Sequence, residues 1–464
     1  MHRPMTVVYV VAFVLGCAPA VEGNYCRVDD IFKNGNDYTT AVIGNKCKSL
    51  VLNHVQLGDS GATAIAEALK DNTVMTELVL SDNGIGDSGA IAIAEALTSL
   101  ATLKSLRISN NAIGDSGAAA IAKVAKGSAE LTALNLGRNK IGDSGASAIA
   151  DALKGNSAVE SLDLYSNNIG DAGAIGIAGA LKVNTALKML NLDNNQIGDS
   201  GATSGAHAIA EALAVNVDSA LSSLSLGNNN NIGDSGAAAI AEALKVNTAL
   251  KTLHMYSKRI GDHGASALGR ALKVNKALTT LNLHTNHIGD SAATTIAEGL
   301  KVNTALRELV LSDNNIGEMG AKAIAEALKT NSALATLVLN DNHIGDNGAS
   351  AIATGLETNN ALTTLSLNKN MIGDSGAKAL ANALKVHTGL VELGLRSNTL
   401  GDPAAMAMAN ALLENDALRV LHLDGNDKIG KKGAKALSKA VEAKKKEREG
   451  EASASGDGNW RTEL

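Results

Sequence analysis

The chain repeats itself. An Ile-Gly-Asp motif or a close variant recurs with its glycine at Gly58, Gly86, Gly114, Gly142, Gly170, Gly198, Gly233, Gly261, Gly289, Gly317, Gly345, Gly373, Gly401 and Gly430, which marks fourteen units. Eleven of the thirteen intervals are 28 residues, one is 35 (198 to 233) and one is 29 (401 to 430). A period of this size dictates the architecture, because one unit cannot bury its apolar face alone and must stack on its neighbours. Length therefore sets no domain count: 464 residues would otherwise suggest about three domains. The composition agrees, since 45% of residues are hydrophobic and only 2% aromatic, as expected of a core built from many small aliphatic layers.

Within one unit the pattern predicts a short strand followed by a helix. In Leu78-Val79-Leu80 alternate side chains take opposite faces, so the leucines point inward and Val79 is expected to face solvent. Asn83 and its counterparts Asn111, Asn139, Asn167, Asn195, Asn286, Asn314, Asn342, Asn370, Asn398 and Asn426 are expected to be buried, and so must be hydrogen-bonded, as a ladder to neighbouring backbones would allow. Asp87 is placed to cap a helix N-terminus, and Gly89, Ile93 and Leu97 then share one helical face. Asn72, Asn184, Asn247, Asn275 and Asn303 follow their helices where a left-handed residue is expected. Glu67/Lys70, Glu242/Lys245, Glu298/Lys301 and Glu326/Lys329 read as i, i+3 pairs on a solvated outer face.

The unit Leu103, Leu106-Arg107-Ile108, Asn111, Ile113, Gly114-Asp115-Ser116-Gly117 and Ile121, with Met75 standing where Leu103 does in the unit before, resembles the 28-residue leucine-rich repeat of the ribonuclease-inhibitor-like family. That repeat is shared with NOD-like receptors and Ran GTPase-activating proteins. The resemblance covers about residues 48–441. It implies an α/β leucine-rich-repeat solenoid, a horseshoe with a parallel sheet on the concave face and helices on the convex face. Thirteen strand steps of ~4.8 Å would make the inner sheet about 60 Å long.

The ends differ from the array. His2-Arg3, the apolar run Val7 to Leu15 and Ala18-Pro19-Ala20 predict a signal peptide over 1–20. An apolar run of about nine residues is too short to span a bilayer, so no stable membrane insertion is expected after cleavage. An uncleaved anchor and a lipoprotein box at Val14-Leu15-Gly16-Cys17 are the alternatives. Cleavage after Ala20 leaves Cys26 and Cys47, expected to form a disulfide in an N-terminal cap over 21–47. The solenoid is expected over 48–441 and a disordered tail over 442–464. Its final Arg-Thr-Glu-Leu is a poor match to an endoplasmic-reticulum retention signal.

Several motifs imitate chemistry. Gly-Asp-Ser-Gly, the sequence around the nucleophile of trypsin-like proteases, occurs seven times in phase with the repeat, and its Ser becomes Ala172, His263, Met319 or Asn347 elsewhere. It therefore reads as a structural loop. Gly425 to Lys432 approaches a phosphate-binding loop, but Lys432 stands where Ser or Thr is needed. His254 and His284 share the inner surface without a matching carboxylate or Cys, which argues against a metal. No catalytic residue and no cofactor is expected. The net charge of −6 and the scattered Lys and Arg leave no footprint for nucleic acid.

In the family, partners dock on the concave sheet. Most exposed strand positions here are Ser, Thr, Asn, Asp or Val, whereas binding hot spots favour Trp, Tyr and Arg. The exceptions are Arg107, Arg138 and Tyr165, then His254, Tyr256 and His284. Arg138, Tyr165, Tyr256 and His284 are the expected contact surface, with the 35-residue unit between the tyrosines and its extra residues near 203–206, 217–218 and 228–231. The reading is a secreted, non-catalytic scaffold for a protein partner. Its alternative is a cytosolic regulator resembling Ran GTPase-activating protein, whose tail is strongly acidic, unlike the mixed tail here. A ribonuclease inhibitor proper is disfavoured because no repeat contains Cys. The chain also lacks any Asn-x-Ser/Thr sequon.

Overall fold

The computed structural model describes residues 25, 26, 41, 43–201, 203–216, 218–451 and 461–463. The expected signal peptide and most of the expected N-terminal cap lie outside them. Among the described residues, sixteen strands form one parallel sheet in strictly sequential order. Fourteen of these, from Ser49–Val51 to Val420–His422, alternate with fourteen helices, from Gly58–Leu69 to Lys431–Glu451. The sheet does not close. The architecture is the α/β leucine-rich-repeat solenoid, with a short Tyr25–Cys26 strand ahead of the array and an Arg461–Glu463 strand after it.

Register is set by the leucines. Leu78 stands opposite Leu106, and Leu106 opposite Leu134, so equivalent side chains stack in columns. Leu78, Leu80, Ile85 and Ile93 are fully buried, and the same positions recur unit after unit in one continuous core. Val79, expected to face solvent, is only 6% exposed. Strands about 4.8 Å apart leave a small side chain on the concave face covered by its neighbours on both sides.

Two asparagine ladders tie the units together. Asn111 accepts at Oδ1 from the Asn83 and Ile85 amides and donates at Nδ2 to the carbonyls of Leu80 and Ile108. The asparagines after the helices do not adopt the expected left-handed conformation; Asn303, for example, has φ −82° and ψ 129°. Their side chains instead bridge units. Asn184 donates to the Leu153 and Asn156 carbonyls and accepts from the Ala186 and Leu187 amides, which satisfies a buried turn without a positive φ.

The aspartate of each motif also does something other than expected. Asp87 is the first residue of its own helix, whose N-cap position, Gly86, makes no side-chain capping bond. Its Oδ1 accepts from the amides of Gly114 and Gly117 in the next unit, at 2.7 and 2.9 Å. Asp115 serves Gly142 and Gly145 in the same way, and the series continues to Asp402, which serves Gly430 and Gly433. Every such carboxylate therefore caps the helix of its C-terminal neighbour. The ladder fails at Glu318, whose longer side chain accepts from the Asn347 side-chain Nδ2 at 3.0 Å instead of from a backbone amide. The following helix then begins at Gly345 with φ +60°, as the first helix of the array begins at Gly58 with φ +55°.

The 35-residue unit absorbs its extra length in loops. Asp171 reaches across the insertion to bond the amides of Gly198 and Gly205, so the helix starts at Gly205 and the ladder is kept. On the outer face the pairs Glu67/Lys70, Glu242/Lys245 and Glu326/Lys329 form, but Glu298 pairs with Lys273 of the preceding unit rather than with Lys301. Beyond 442 the last helix continues to Glu451, and Arg461–Glu463 pairs in parallel with Val420–His422. The tail thus carries secondary structure where none was expected, because an amphipathic last helix extends the stack. A disulfide joins Cys26 to Cys47, with Cα atoms 5.8 Å apart. No helix among the described residues is long and apolar enough to cross a membrane.

Candidate functional site

The concave face presents two parallel rows of side chains. One runs through the last residue of each strand, Asp163, Asn191, Ser225, His254 and Asn282, which are in direct register. The other lies two residues further on and contains Gly137, Tyr165, Asp193, Gly227, Tyr256 and His284. The two tyrosines do not stand out from the sheet. The Tyr165 ring lies over Gly137 of the preceding unit, where an added Cβ would sit 2.2 Å from its Cδ1. The Tyr256 ring covers Gly227 equally closely. Each tyrosine is seated because the neighbour one strand back is glycine.

Tyr256 extends past Gly227 to the unit beyond. Its hydroxyl donates to Asp193 Oδ2 at 2.5 Å, while Asp193 Oδ1 accepts from the Ser225 hydroxyl and, at 2.6 Å, from the Gly227 amide. On its other face the Tyr256 ring stacks on His284, with centroids 4.3 Å apart and planes at 27°. The Arg138 guanidinium, on a residue held at φ +52°, sits 5.6 Å from the Tyr165 ring centroid, within cation–π range.

Burial dominates the electrostatics. It raises the Asp163 carboxyl to about 6, against the Tyr165 amide, which lowers it, and with the nearby Asp193 charge, which raises it. Asp193 is raised too, again by burial first, although the hydrogen bonds from Ser225, Tyr256 and Gly227 oppose the shift. Burial and the Asp193 charge push the Tyr256 phenol well above its ordinary value. His254 is buried and held at about 4, and His284 is also lowered by burial while Asp313 acts the other way. Both imidazoles are thus neutral at physiological pH, packed as uncharged rings.

The structure therefore gathers Tyr256 and His284 with His254 beside them, and separately Arg138 with Tyr165; Asp163 and Asp193 occupy the ground between. Arg107 stands apart on an earlier strand, Ser105–Arg107, in register with Asn135 of the next. The two aspartates and the two seating glycines were not singled out from sequence, although a Gly at the strand position one unit before each Tyr was visible there. A further cluster closes the concave face near its C-terminal end: Arg396 Nε donates to Asp424 at 2.5 Å, and His422 Nε2 lies 3.1 Å from Glu392.

The protease-like motif is accounted for by the ladder. Its aspartates hold backbone amides, and Ser88 donates to Asp59 at 2.7 Å. Among the described residues one motif serine, Ser235, comes within 3.4 Å of an imidazole, His207, at an exposed helix start. The phosphate-loop imitation has its Gly430 and Gly433 amides already occupied by Asp402. No group of three or more metal-ligating side chains forms among the described residues.

Comparison with known families places these features. A leucine-rich-repeat family matches eight segments, 71–94, 99–122, 128–150, 155–178, 183–204, 330–353, 358–381 and 415–438, and the TMOD/LMOD leucine-rich domain matches 207–320. The chain is a leucine-rich-repeat protein, with units consistent with the ribonuclease-inhibitor-like class. Among solved structures it is similar to an internalin, InlF, from Listeria monocytogenes, at 22% identity and a TM-score of 0.48, over 82% of this chain and 86% of that one. It is also similar to leiomodin-1 actin-binding site 2, at 30% identity and a TM-score of 0.24, over 28% of this chain and 78% of that one. No curated protein sequence matches it.

Proposed function

We propose that the protein is a secreted, non-catalytic scaffold that holds a protein partner against its concave face, anchored by Arg138, Tyr165, Tyr256 and His284. The observation that carries this reading is the fixed seating of the tyrosines. Aromatic and arginine side chains supply most hot spots, and side chains already immobilised lose little conformational freedom on binding. Tyr256 is held by Asp193 on one side and His284 on the other, and Tyr165 is bracketed by Gly137 and Arg138. The repeat family, whose members serve as binding scaffolds, supports the general role.

Two measurements test it. With the full chain as bait in extracellular fluid, substitution of both Tyr165 and Tyr256 by Ala is expected to weaken capture of the partner at least about tenfold. Val246→Ser, in the turn after the helix Asp234–Leu244 and away from the strand rows at 64% exposure, is expected to leave capture unchanged. Unaltered affinity in the double-tyrosine variant rules out the concave anchor. Secretion rests on the Arg3, Val7–Leu15 and Ala18-Pro19-Ala20 pattern. Sequencing the mature protein is expected to give a start near Val21, whereas an intact Met1 returns the protein to the cytosolic regulator reading.

A further inference from the structure

Four buried side-chain polar atoms among the described residues have no hydrogen-bond partner, and two of them, Ser105 Oγ and Arg107 Nε, lie on the same strand. Residues two apart on a strand share a face, and with Leu106 inside the core both Ser105 and Arg107 point to the concave side. Both atoms are enclosed and out of a partner's reach, so at Arg107 it is the exposed part of the side chain that is open to one. Arg107 is half-exposed and forms no ion pair with the described residues; Glu77, on the adjacent strand, accepts from Ser49 instead. Arg138, one unit on, is exposed, and among the described residues its guanidinium meets the Tyr165 ring and no carboxylate. Arg396, on the same face at the far end, is by contrast tied to Asp424.

Resting on the concave-face reading above, we propose that Arg107 and Arg138 receive a carboxylate of the partner, which is therefore a protein presenting an acidic segment to units three and four of the array. A guanidinium is a planar multiple donor matched to a carboxylate, and the two lie on neighbouring units, Arg138 three residues beyond the Asn135 that stands in register with Arg107, so acidic side chains spaced along one segment reach one arginine each. Tyr165 beside Arg138 offers an apolar surface for a residue flanking the acid. The neighbours limit how much negative charge fits. Asp82 lies on one side, and Asp163 and Asp193 on the other, so a continuous polyanion such as a nucleic acid would be repelled on both flanks where a short acidic segment is not.

The full chain can be titrated with fluorescein-labelled Gly-Glu-Phe-Glu-Gly and its Gln counterpart at low salt, read by anisotropy. The Glu peptide is expected to bind about tenfold more tightly than the Gln peptide. Joint Arg107→Gln and Arg138→Gln substitution is expected to erase that preference, and joint Lys substitution to retain part of it. Thermal unfolding of each variant verifies that it is folded. Equal affinity for the two peptides, no binding of the Glu peptide, a preference indifferent to the arginines, or tighter arginine-dependent binding of heparin than of the Glu peptide would each overturn the proposal. A partner captured through Tyr165 and Tyr256 yet indifferent to both Gln changes sinks the carboxylate and leaves the concave anchor standing.

Discussion

The Tyr256 hydroxyl and the Asp193 carboxylate meet at 2.5 Å across Gly227, so one hydrogen bond spans three consecutive units of the array. Gly227→Ala places a methyl group 2.2 Å from the Tyr256 ring, which must then swing away and give up Asp193. Overpacking of this kind costs about 1–3 kcal/mol. Tyr256→Phe keeps the ring seated and removes only the charge-assisted bond, a loss of about 1.5–3 kcal/mol. Denaturant unfolding of both variants is expected to show reduced stability, with partner capture reduced more by the Ala change, since only there does the ring itself move. If Gly227→Ala unfolds at the same midpoint as the parent, Tyr256 does not lie over Gly227.

Asp163 gives the concave face a dependence on pH. Its folded carboxyl titrates at about 6, above the ordinary value of 3.8, so between those values the folded protein binds more protons than the unfolded chain. Stability from this group is greatest below about 3.8 and declines as pH rises through about 6. Asp163→Asn removes the penalty of ionising a buried acid. It is expected to stabilise the protein near neutrality, and by on the order of 1 kcal/mol more near pH 7.5 than near pH 5. Calorimetry at both pH values reads the difference; a gain independent of pH would mean that Asp163 titrates normally.

His387 marks a flaw in the second asparagine ladder. It occupies the post-helical position held elsewhere by Asn359 or Asn415, and its Nδ1 accepts from the Gly389 and Leu390 amides as an asparagine Oδ1 would. Its Nε2 is buried without a partner, whereas Asn359 and Asn415 donate to carbonyls of the preceding unit. Burial also lowers the His387 pKa below its ordinary 6.5, so stability that is complete above 6.5 is lost as pH falls below it. His387→Asn is expected to add about 1 kcal/mol near neutrality. It should also flatten the acid side of the stability profile measured by thermal unfolding.

The aspartate ladder predicts that a mutation in one unit is felt in the next. Asp234→Ala leaves the Gly261 and Gly264 amides without their acceptor, and a lost helix cap costs about 0.5–2 kcal/mol. Hydrogen exchange should accelerate at the start of the helix Asp262–Leu272, not in the mutated unit's own helix, Asp234–Leu244. Glu318→Asp, conversely, is expected to extend the ladder to Gly348 and to slow exchange there, the Gly345 amide being already held by the Asn370 carbonyl. Faster exchange confined to the helix carrying Asp234 would show that the carboxylate serves its own unit.

The strand and helix of each unit were legible because leucine spacing states the period directly, and Leu78, Leu80, Ile93 and Leu97 went where that period sends them. What stayed hidden was which unit a residue serves. In a near-identical repeat, Gly86 and Gly114 look equally suitable as partners of Asp87, and only the stacked geometry selects the second. The same applies to the post-helical asparagines, whose contacts lie a full unit away. At the candidate site, the tyrosines, Arg138 and the histidines were visible as departures from a row of small polar residues. Asp163 and Asp193 were not, since a lone carboxylate on an exposed strand position reads as solvated until its neighbours are known to cover it.

The direction of the aspartate ladder gives the array a head and a tail. Each carboxylate is synthesised some thirty residues ahead of the amides it will hold, as Asp87 precedes Gly117, so a chain emerging from the ribosome always offers a finished template before the segment that needs it. Growth in the opposite sense would leave every new helix start bare. At Glu318 this templating lapses, and Gly345 starts its helix at a positive φ with its amide held from the other side, by the Asn370 carbonyl of the following unit. The aspartate ladder is thus written as two consecutive runs, units one to ten and eleven to fourteen, while the leucine core and the asparagine ladder pass unbroken through the join.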